Sequence, residues 1–408
     1  MSSTTTVPTK DSGARGRVRD IVPGIHIGDY KTGPKNGITD VPGVLASTQE
    51  FHLNGGRVNT GVTVILPRRD WCTDGCNAGM FRLNGAGEFT GSHWIAETGM
   101  LSSPIVLTNT TSVGGAYQGI YEYANEHHAN EYGFCDYFLV PVIGETYDGY
   151  LNDLGAFPIT PQRVAHGIAT ASDAPVPEGN RGGGTGMICQ GFKGGTGTAS
   201  RIVPGFGSSP DAAAAERPEK EYTVAALVQA NYGRLNHLRI AGVPVGRIIA
   251  DERAAAGQGP PAADRAKDGK DGSIVIVVAT DAPLSPTQCQ RLAKRAAVGL
   301  ARVGGYAHNP SGDIFLAFST GNHIPVLSTT DDPKRKANPF QPRPFSVDVV
   351  EDSTMNGLFE AAADATEEAI YNVLCMAETL TGLAGHTIEA LPLDKLREIM
   401  DKYMYKSP

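Results

Sequence analysis

The feature that most constrains the fold of this chain is an apolar run that directly follows a long polar stretch. Residues 274–280 read Ile-Val-Ile-Val-Val-Ala-Thr and form the most apolar run of the sequence. The preceding residues, 250–271, carry many Ala, Gly, Pro, Asp and Lys and almost no large apolar side chains. This pattern predicts a linker followed by a strand that is buried in the core. Ser273 stands at the junction, directly after Gly272.

The composition is that of a globular protein that is long enough to bury a substantial core. Of the 408 residues, 40% are hydrophobic and 19% are charged, while 50 are glycine and 27 are proline, which indicates many turns and short strands. Apolar residues at helical spacing predict helices over 109–131, 159–172, 285–303 and about 355–381. Strands are predicted at 62–67, 137–142, 185–203 (two strands), 222–229 and 313–318. Because strands and helices do not alternate strictly, we expect a layered α/β sandwich with mixed or antiparallel sheets rather than a Rossmann fold.

The charge balance and the N-terminal residues narrow the possible partners and locations. A net charge of −8 argues against nucleic acid, whose binding depends on Lys and Arg contacts to phosphate. No stretch reaches the ~18–20 apolar residues that span a bilayer, and residues 1–19 lack the apolar segment of a signal peptide. We therefore expect a cytoplasmic protein without a membrane partner. Residues 1–19 are predicted to be a flexible tail with solvated Arg15, Arg17 and Arg19, ahead of one domain over 20–408.

The sequence predicts neither a metal site nor a cofactor site. Of six scattered cysteines only Cys72 and Cys76 are close together, which favours free thiols over a zinc site. The histidines show no metal-ligand spacing. The glycine runs at 182–186 and 194–197 lack the Gly-Lys-Ser/Thr ending of a phosphate-binding loop, and β-type residues follow where a dinucleotide fingerprint needs a helix. We expect these glycines to form tight turns with close backbone contacts.

Ser273 is the remaining candidate for chemistry. The sequence has no G-x-S-x-G elbow and no histidine in an obvious partner position, as a serine hydrolase would need. A serine that becomes a chain terminus can use its own α-amine as the base, since the reference pKa of that amine is ~7.7–8.0. Ser273 would reach that state if its hydroxyl attacked the carbonyl of Gly272 and water hydrolysed the resulting ester. The other interpretation is a linker that meets a strand whose first residue is polar.

Seven motifs in order carry a resemblance to a known family. They are NGITDVPGV at 36–44, GSHWIAETG at 91–99, LTNT with SVG at 107–114, PVIGETYDG at 141–149, VQANYG at 228–233, DGSIVIVVATDAPL at 271–284 and SGDIFLAFST at 311–320. With them, residues 20 to 385 resemble the DmpA family, the L-aminopeptidase/D-Ala-esterase-amidase and β-peptidyl aminopeptidase enzymes. The motif around Ser273 resembles the processing site of that family.

The resemblance implies a self-processing N-terminal-nucleophile hydrolase. Such a chain would cleave itself into an α-chain of residues 1–272 and a β-chain of residues 273–408. The implied fold is a four-layer αββα sandwich of the DmpA and ornithine-acetyltransferase type, similar to the Ntn hydrolases. The implied reaction removes N-terminal residues from short peptides, amides and esters through an acyl-Ser273 intermediate. No cofactor is implied, and the αβ units are expected to form a homo-oligomer.

The resemblance also implies roles for five further residues. Asn231 matches an asparagine that donates to the oxyanion, and Tyr147 matches a tyrosine that lines the site and can donate a proton or hydrogen bond. Ser311 matches a serine that orients or deprotonates the nucleophile. Asp313 falls where the family often has glutamate, and its shorter side chain has less reach to Ser311 or to the serine amine. Glu145 resembles the carboxylate that holds the free ammonium of the substrate, which would restrict substrates to those with a free N-terminus.

Two other functions stay open on the sequence alone. One is an acyltransferase on the same scaffold, as in the ornithine acetyltransferases, and the other is a non-catalytic binding protein that retains the fold. The segments 205–220 and 250–265 are longer than the family usually needs. They are expected to be loops near the entrance of the site or to have no role.

Overall fold

The structure is a computed structural model that describes residues 14–208, 217–266, 272–328, 338 and 340–405. Its α-helices are α1 (Val18–Ile21), α2 (Ser92–Thr98), α3 (Val113–His127), α4 (Pro161–Thr170), α5 (Val245–Ala255), α6 (Ala262–Ala266), α7 (Pro286–Val303), α8 (Asn356–Met376) and α9 (Leu393–Tyr403). Its strands are β1 (Leu45–Leu53), β2 (Val58–Leu66), β3 (Asp74–Gly85), β4 (Met100–Leu101), β5 (Ile105–Asn109), β6 (Val142–Thr146), β7 (Ile188–Cys189), β8 (Phe192–Lys193), β9 (Gly195–Phe206), β10 (Glu219–Ala230), β11 (Ile274–Thr280), β12 (Gly312–Pro325), β13 (Leu380–Thr381) and β14 (Thr387–Ile388).

Two large sheets organise these elements. One has four strands in the order β1-β2-β5-β6, and the other has six in the order β4-β3-β12-β11-β10-β9. Neighbouring strands pair antiparallel except for β5 with β6 and β11 with β12, which are parallel. Both sheets are therefore mixed, as the irregular alternation of strands and helices in the sequence predicts.

The alternation of side chains along β11 shows how the layers stack. Ile274, Ile276 and Val278 face a core that also contains apolar residues of α7 and α8. Val275 and Val277 face a second core, which the six-stranded sheet shares with the four-stranded sheet. Burial on both faces is the reason that this strand is apolar throughout, since alternate side chains point to opposite sides of a sheet.

A third core completes the sandwich. The outer face of the four-stranded sheet, with Val64 and Val106, packs against Ile120 of α3 and against Val164 and Ile168 of α4. The order of layers is thus α3 and α4, the four-stranded sheet, the six-stranded sheet, and α7 and α8. This is the αββα arrangement that the resemblance implies.

Two predicted elements differ from the structure. The strand predicted at 137–142 is wrong for most of its length, because only Val142 belongs to β6, where it lies opposite Ile105, the first residue of β5. Pro141, directly before it, has no N–H to donate to a ladder. The linker predicted at 250–271 contains the end of α5 and all of α6, since its Ala, Arg and Glu residues are good helix formers. Residues 267–271 of that linker lie outside the described residues.

The predicted solvation of three N-terminal arginines is also wrong. Arg15 donates to two main-chain carbonyls at 2.9 and 3.0 Å. Arg17 forms an ion pair with the buried Glu178 at 2.7 Å, and Arg19 donates to both carboxylate oxygens of Glu368 at 2.8 and 2.7 Å. Arg17 and Arg19 compensate the charges of buried carboxylates, so these arginines are held by the domain. Residues 1–13 of the predicted tail lie outside the described residues.

The segment at 205–220 is the end of a hairpin. β9 and β10 remain paired as far as Phe206 opposite Glu219, and residues 209–216 lie outside the described residues. All six cysteines are free thiols, with 3.6 Å between the sulfur atoms of Cys72 and Cys135. Within the described residues, every helix is too short or too polar to traverse a lipid bilayer.

Candidate active site

Three adjacent strands of the six-stranded sheet bring the predicted site residues together. Asn231 follows the last residue of β10, and Ser273 precedes the first residue of β11. Because β10 and β11 are antiparallel, these two ends are neighbours, and the Asn231 N–H donates to the Ser273 carbonyl at 3.0 Å. β12 runs parallel to β11 and places Asp313 opposite Ile274. One edge of the sheet thus collects three side chains that are far apart in sequence.

The hydroxyl of Ser273 is buried and oriented by main chain. Only 7% of the residue is exposed. Its Oγ accepts a hydrogen bond from the N–H of Gly312 at 3.0 Å. A hydroxyl that accepts from a fixed donor keeps its own proton directed elsewhere, toward a base or an acceptor.

Gly272 fits because it has no side chain. A Cβ at this position would overlap the carbonyl oxygen of Asn231 and would lie 2.9 Å from its Nδ2. The backbone of the junction therefore lies directly on Asn231, with no room for any other residue type. The Gly272 carbonyl oxygen accepts a hydrogen bond from the hydroxyl of Ser311.

Ser311 and Asp313 form a buried pair. Ser311 Oγ donates to Asp313 Oδ1 at 2.9 Å, and the two residues are 2% and 1% exposed. Aspartate therefore reaches Ser311 in spite of its shorter side chain. Since a hydroxyl has one proton, Ser311 can direct it either to the Asp313 carboxylate or to the Gly272 carbonyl.

The side-chain amide of Asn231 has a defined orientation. Its Oδ1 accepts from the N–H of Ile188 at 2.8 Å, and its Nδ2 donates to the carbonyl of Tyr147 at 2.8 Å. A flipped amide would place donor against donor and acceptor against acceptor, so these two main-chain contacts assign oxygen and nitrogen. The NH₂ group consequently lies beside Gly272, since a Cβ on that residue would be 2.9 Å from it.

Tyr147 contributes through its main chain rather than through its hydroxyl. Its carbonyl holds Asn231, whereas its side chain is 47% exposed and its ring lies over Gly149. Among the described residues, the phenol has no hydrogen-bond partner. The structure therefore brings Tyr147 to the site without showing a contact that would give its hydroxyl a role.

Glu145 approaches the same place from the other sheet. It lies on β6, with Oε1 accepting from the Glu88 N–H at 2.9 Å and Oε2 accepting from the Thr110 hydroxyl. A Cβ on Gly87 would lie 3.2 Å from Glu145 Oε1 and 3.3 Å from the Cα of Gly312. The carboxylate is therefore a near neighbour of Gly312, whose N–H donates to Ser273. Burial raises the pKa of Glu145, against the opposing effect of the two hydrogen bonds.

A pocket adjoins the Ser311–Asp313 pair. Four residues with rings line it, namely Tyr232, His237, Tyr306 and His308, and the Tyr306 and His308 rings are stacked at 5.7 Å. Its cavity volume is about 10 Å³, which is room for about one water molecule. Among the described residues, no group of three His, Cys, Asp or Glu side chains could hold a metal ion.

Sequence reasoning missed the contacts that depend on backbone or on burial. The Gly312 N–H and the Ile188 N–H carry no side-chain signature. Thr110 lies in one of the seven motifs, directly after β5. Its place in a motif, next to the strand that carries Glu145, was the available signal. No sequence signal indicated the ring-lined pocket, because His237 and His308 are far apart in the sequence.

The chain is similar to known peptidases over most of its length. Residues 36–388 match the model of peptidase family S58. A β-peptidyl aminopeptidase of Sphingosinicella microcystinivorans is 41% identical over 383 residues, which cover 91% of this chain and 89% of that protein. A β-peptidyl aminopeptidase of Sphingosinicella xenopeptidilytica is 39% identical over 380 residues, covering 90% and 87%.

Solved structures show the same likeness. A β-aminopeptidase of Burkholderia sp. superposes with a TM-score of 0.80 at 41% identity, covering 96% of this chain and 100% of that one. The L-aminopeptidase D-Ala-esterase/amidase of Ochrobactrum anthropi gives 0.78 at 39% identity, covering 95% and 98%. The latter is described as a prototype of the serine aminopeptidases with a variant of the Ntn hydrolase fold. These likenesses confirm the fold class that was predicted from the sequence.

A carboxylate in place of the Asn231 amide tests the amide orientation. In a chain that carries Ser273→Ala, we expect Asn231→Asp to lower the free energy of unfolding by about 1–3 kcal/mol, because an oxygen would face the Tyr147 carbonyl and leave buried acceptors unpaired. Denaturant unfolding measures this. The matched control is Asn309→Asp at an exposed asparagine, with an expected change within about 0.5 kcal/mol. Equal, small effects of the two changes would contradict the orientation.

Proposed function

The chain belongs to peptidase family S58 and is an aminopeptidase, and we propose that its nucleophile is Ser273 at an N-terminus made by self-cleavage. The observation that carries the proposal is the junction itself. The Ser273 hydroxyl is held by the Gly312 N–H, and the carbonyl it would attack is held by the Ser311 hydroxyl. A nucleophile and the polarised carbonyl of the preceding residue are thus both oriented by buried donors.

Self-cleavage would proceed as an acyl shift followed by hydrolysis. Ser273 Oγ attacks the carbonyl carbon of Gly272 and its proton passes to the leaving Ser273 nitrogen, so that the C–N bond breaks and an ester forms. Water then cleaves the ester, which gives a Gly272 carboxylate and the free amine of Ser273. The products are an α-chain of residues 1–272 and a β-chain of residues 273–408, which stay in one catalytic domain because both contribute strands to the six-stranded sheet.

Catalysis would reuse the same groups. The Ser273 amine acts as base for its own hydroxyl, which attacks the substrate carbonyl to form an acyl-Ser273 intermediate that water hydrolyses. The Asn231 amide donates to the oxyanion, a contribution usually worth ~3–4 kcal/mol of transition-state stabilisation. Ser311, held by Asp313, orients the nucleophile. Tyr147 lines the site through the ring and holds Asn231 through its carbonyl.

The substrates would be short peptides, amino-acid amides and esters with a free amino group. Glu145 supports this, since a buried carboxylate close to Gly312 suits an ammonium. The names of the relatives add β-amino acyl groups to the classes worth testing. With aminopeptidases as the relatives, neither the acyltransferase nor the binding-protein alternative has an observation in its favour.

Removing the Ser273 hydroxyl tests the central claim. We expect wild-type protein to appear as two chains of about 29 and 14 kDa, masses scaled from chain length. Ser273→Ala should give one full-length chain without activity, as judged by denaturing electrophoresis, intact mass and hydrolysis of amino-acid p-nitroanilides. Two chains from Ser273→Ala would mean that another protease cuts the linker, and the self-cleavage proposal would then be wrong.

A methyl group at Gly272 tests whether the junction geometry drives cleavage. Gly272→Ala should slow the appearance of the two chains strongly, because the added Cβ would overlap the Asn231 carbonyl and displace the scissile carbonyl. The matched control is Gly259→Ala, where an added Cβ meets nothing within 4 Å. Time courses of chain separation after synthesis make the measurement. If both variants separated at the wild-type rate, the close fit at Gly272 would have no part in the reaction.

Neutralising Glu145 tests the substrate class. Glu145→Gln should lower kcat/KM for free amino-acid amides by about 30-fold or more, the effect of removing one partner from a buried charge pair. N-acetylated amides should be poor substrates of both forms. The control is Glu97→Gln at an exposed glutamate, which should change kcat/KM by less than about twofold. Unchanged preference for the free amine in Glu145→Gln would assign the ammonium to another group.

A further inference from the structure

One buried cation near the site has no function assigned by anything above. Lys193, the last residue of β8, is fully buried. Its Nζ donates to the main-chain carbonyls of Met187 and Gly194 at 2.8 Å each and of Gly184 at 3.4 Å. Three acceptors match the three N–H bonds of an ammonium, whereas a neutral amine would have only two to donate.

The position is costly for a charge. Within the described residues, no carboxylate comes within 4.0 Å of Lys193 to form an ion pair. Burial lowers the pKa of Lys193, and the carboxylate of Asp148 acts in the opposite direction. A buried cation is normally paired or replaced, because desolvation costs several kcal/mol per ion.

One of the two shorter contacts lies on a peptide that also holds Asn231. Lys193 donates to the carbonyl of Met187, and the N–H of Ile188 donates to Asn231 Oδ1. The carbonyl of Met187 and the N–H of Ile188 are the two ends of one planar peptide group. The ammonium, this peptide and the Asn231 amide thus form a chain of donors that points one way, from Lys193 to the Nδ2 of Asn231.

We propose that Lys193 is a positioning residue that orients and polarises the Asn231 amide through the Met187–Ile188 peptide. A cation at the carbonyl end of a peptide makes its N–H end a stronger hydrogen-bond donor. The stronger bond to Oδ1 draws electrons from the Asn231 amide, which makes the Nδ2 hydrogens of Asn231 stronger donors in turn. Negative charge on the substrate oxygen develops beside the end of this chain. The gain is therefore larger in the transition state than in the bound substrate, which affects kcat rather than KM.

The inference rests on the proposed role of Asn231, and a double-mutant cycle separates the two claims. Activity is expressed per active site, counted by titration with a serine-directed covalent inhibitor. Asn231→Ala should lower kcat by about 10²- to 10³-fold. Lys193→Met should lower kcat by about 10- to 100-fold, the range for a residue that orients a reactive group through one intermediate contact, with KM within about twofold.

The double variant gives the decisive comparison. If Lys193 acts through Asn231, then Lys193→Met added to Asn231→Ala should lower kcat by less than about twofold, because the amide that it polarises is already absent. A full 10- to 100-fold further loss in that background would make the lysine a clip for the β7–β8 turn and would overturn the inference. No loss of kcat in the single Lys193→Met variant would overturn it too. If Asn231→Ala itself leaves kcat unchanged, the role proposed for Asn231 fails, and with it the inference.

Controls keep the result independent of stability. Arg201→Met removes another fully buried cation, which lies on β9 and pairs with Glu368 at 2.7 Å. This variant should lower the midpoint of thermal unfolding and change kcat by less than about twofold. If Lys193→Met does not fold, Lys193→Gln takes its place, since it keeps a donor and loses the charge. If a variant folds but separates slowly into its two chains, its rate of chain separation replaces kcat in the same cycle. Failure of both lysine variants to fold would mark Lys193 as structural and overturn the inference.

Discussion

The two parallel strand pairs are the constraint on which the rest of the site depends. In a parallel pair both strands begin at one edge and end at the other, so residues at equivalent ends become neighbours. β11 and β12 place Ser273 and the Ser311–Asp313 pair at their starting edge, and β5 and β6 place Thr110 and Glu145 at their finishing edge. The two edges meet across the sandwich, through the contact of Asn231 with Tyr147 and the close approach of Gly87 to both Glu145 and Gly312.

Burial gives this meeting point its chemistry. Ser273, Asn231, Ser311 and Asp313 are all less than 10% exposed, so their hydrogen bonds act at low effective dielectric. In the proposed reaction, their donors would need no rearrangement as charge develops. The same burial makes every unpaired polar group expensive. Orientation by main-chain donors meets both needs, because strand ends and tight turns hold N–H and C=O groups more rigidly than side chains hold their own.

The sequence predicted the parts of the site that depend on side-chain identity. The apolar strand β11, the serine at its start and the motif residues Asn231 and Asp313 were all visible, since strand burial and residue type are local properties. The Gly312 N–H was not visible, because every residue but proline has an N–H and only its direction matters. A sequence pattern predicts a lysine such as Lys193 at the surface. Its burial depends on three main-chain carbonyls that the fold brings together around its ammonium group. The strand predicted at 137–142 was wrong since its partner, β5, begins too late to pair with it.

A cleavage proposed inside a folded domain has to leave the nucleophile where it was. β11 is held on both sides, by β10 through seven antiparallel residue pairs and by β12 through seven parallel ones. Loss of the bond before Ser273 removes none of these pairs, so the new terminus remains fixed by the sheet. The Gly272–Ser273 peptide bond can break without loss of strand pairing, because Gly272 lies outside the ladder at the edge of the sheet. The Ser311 hydroxyl holds its carbonyl there. A cut one residue later would leave Ser273 on the departing chain, and a cut one residue earlier would leave no free serine amine. The sheet edge and the glycine therefore select the same bond.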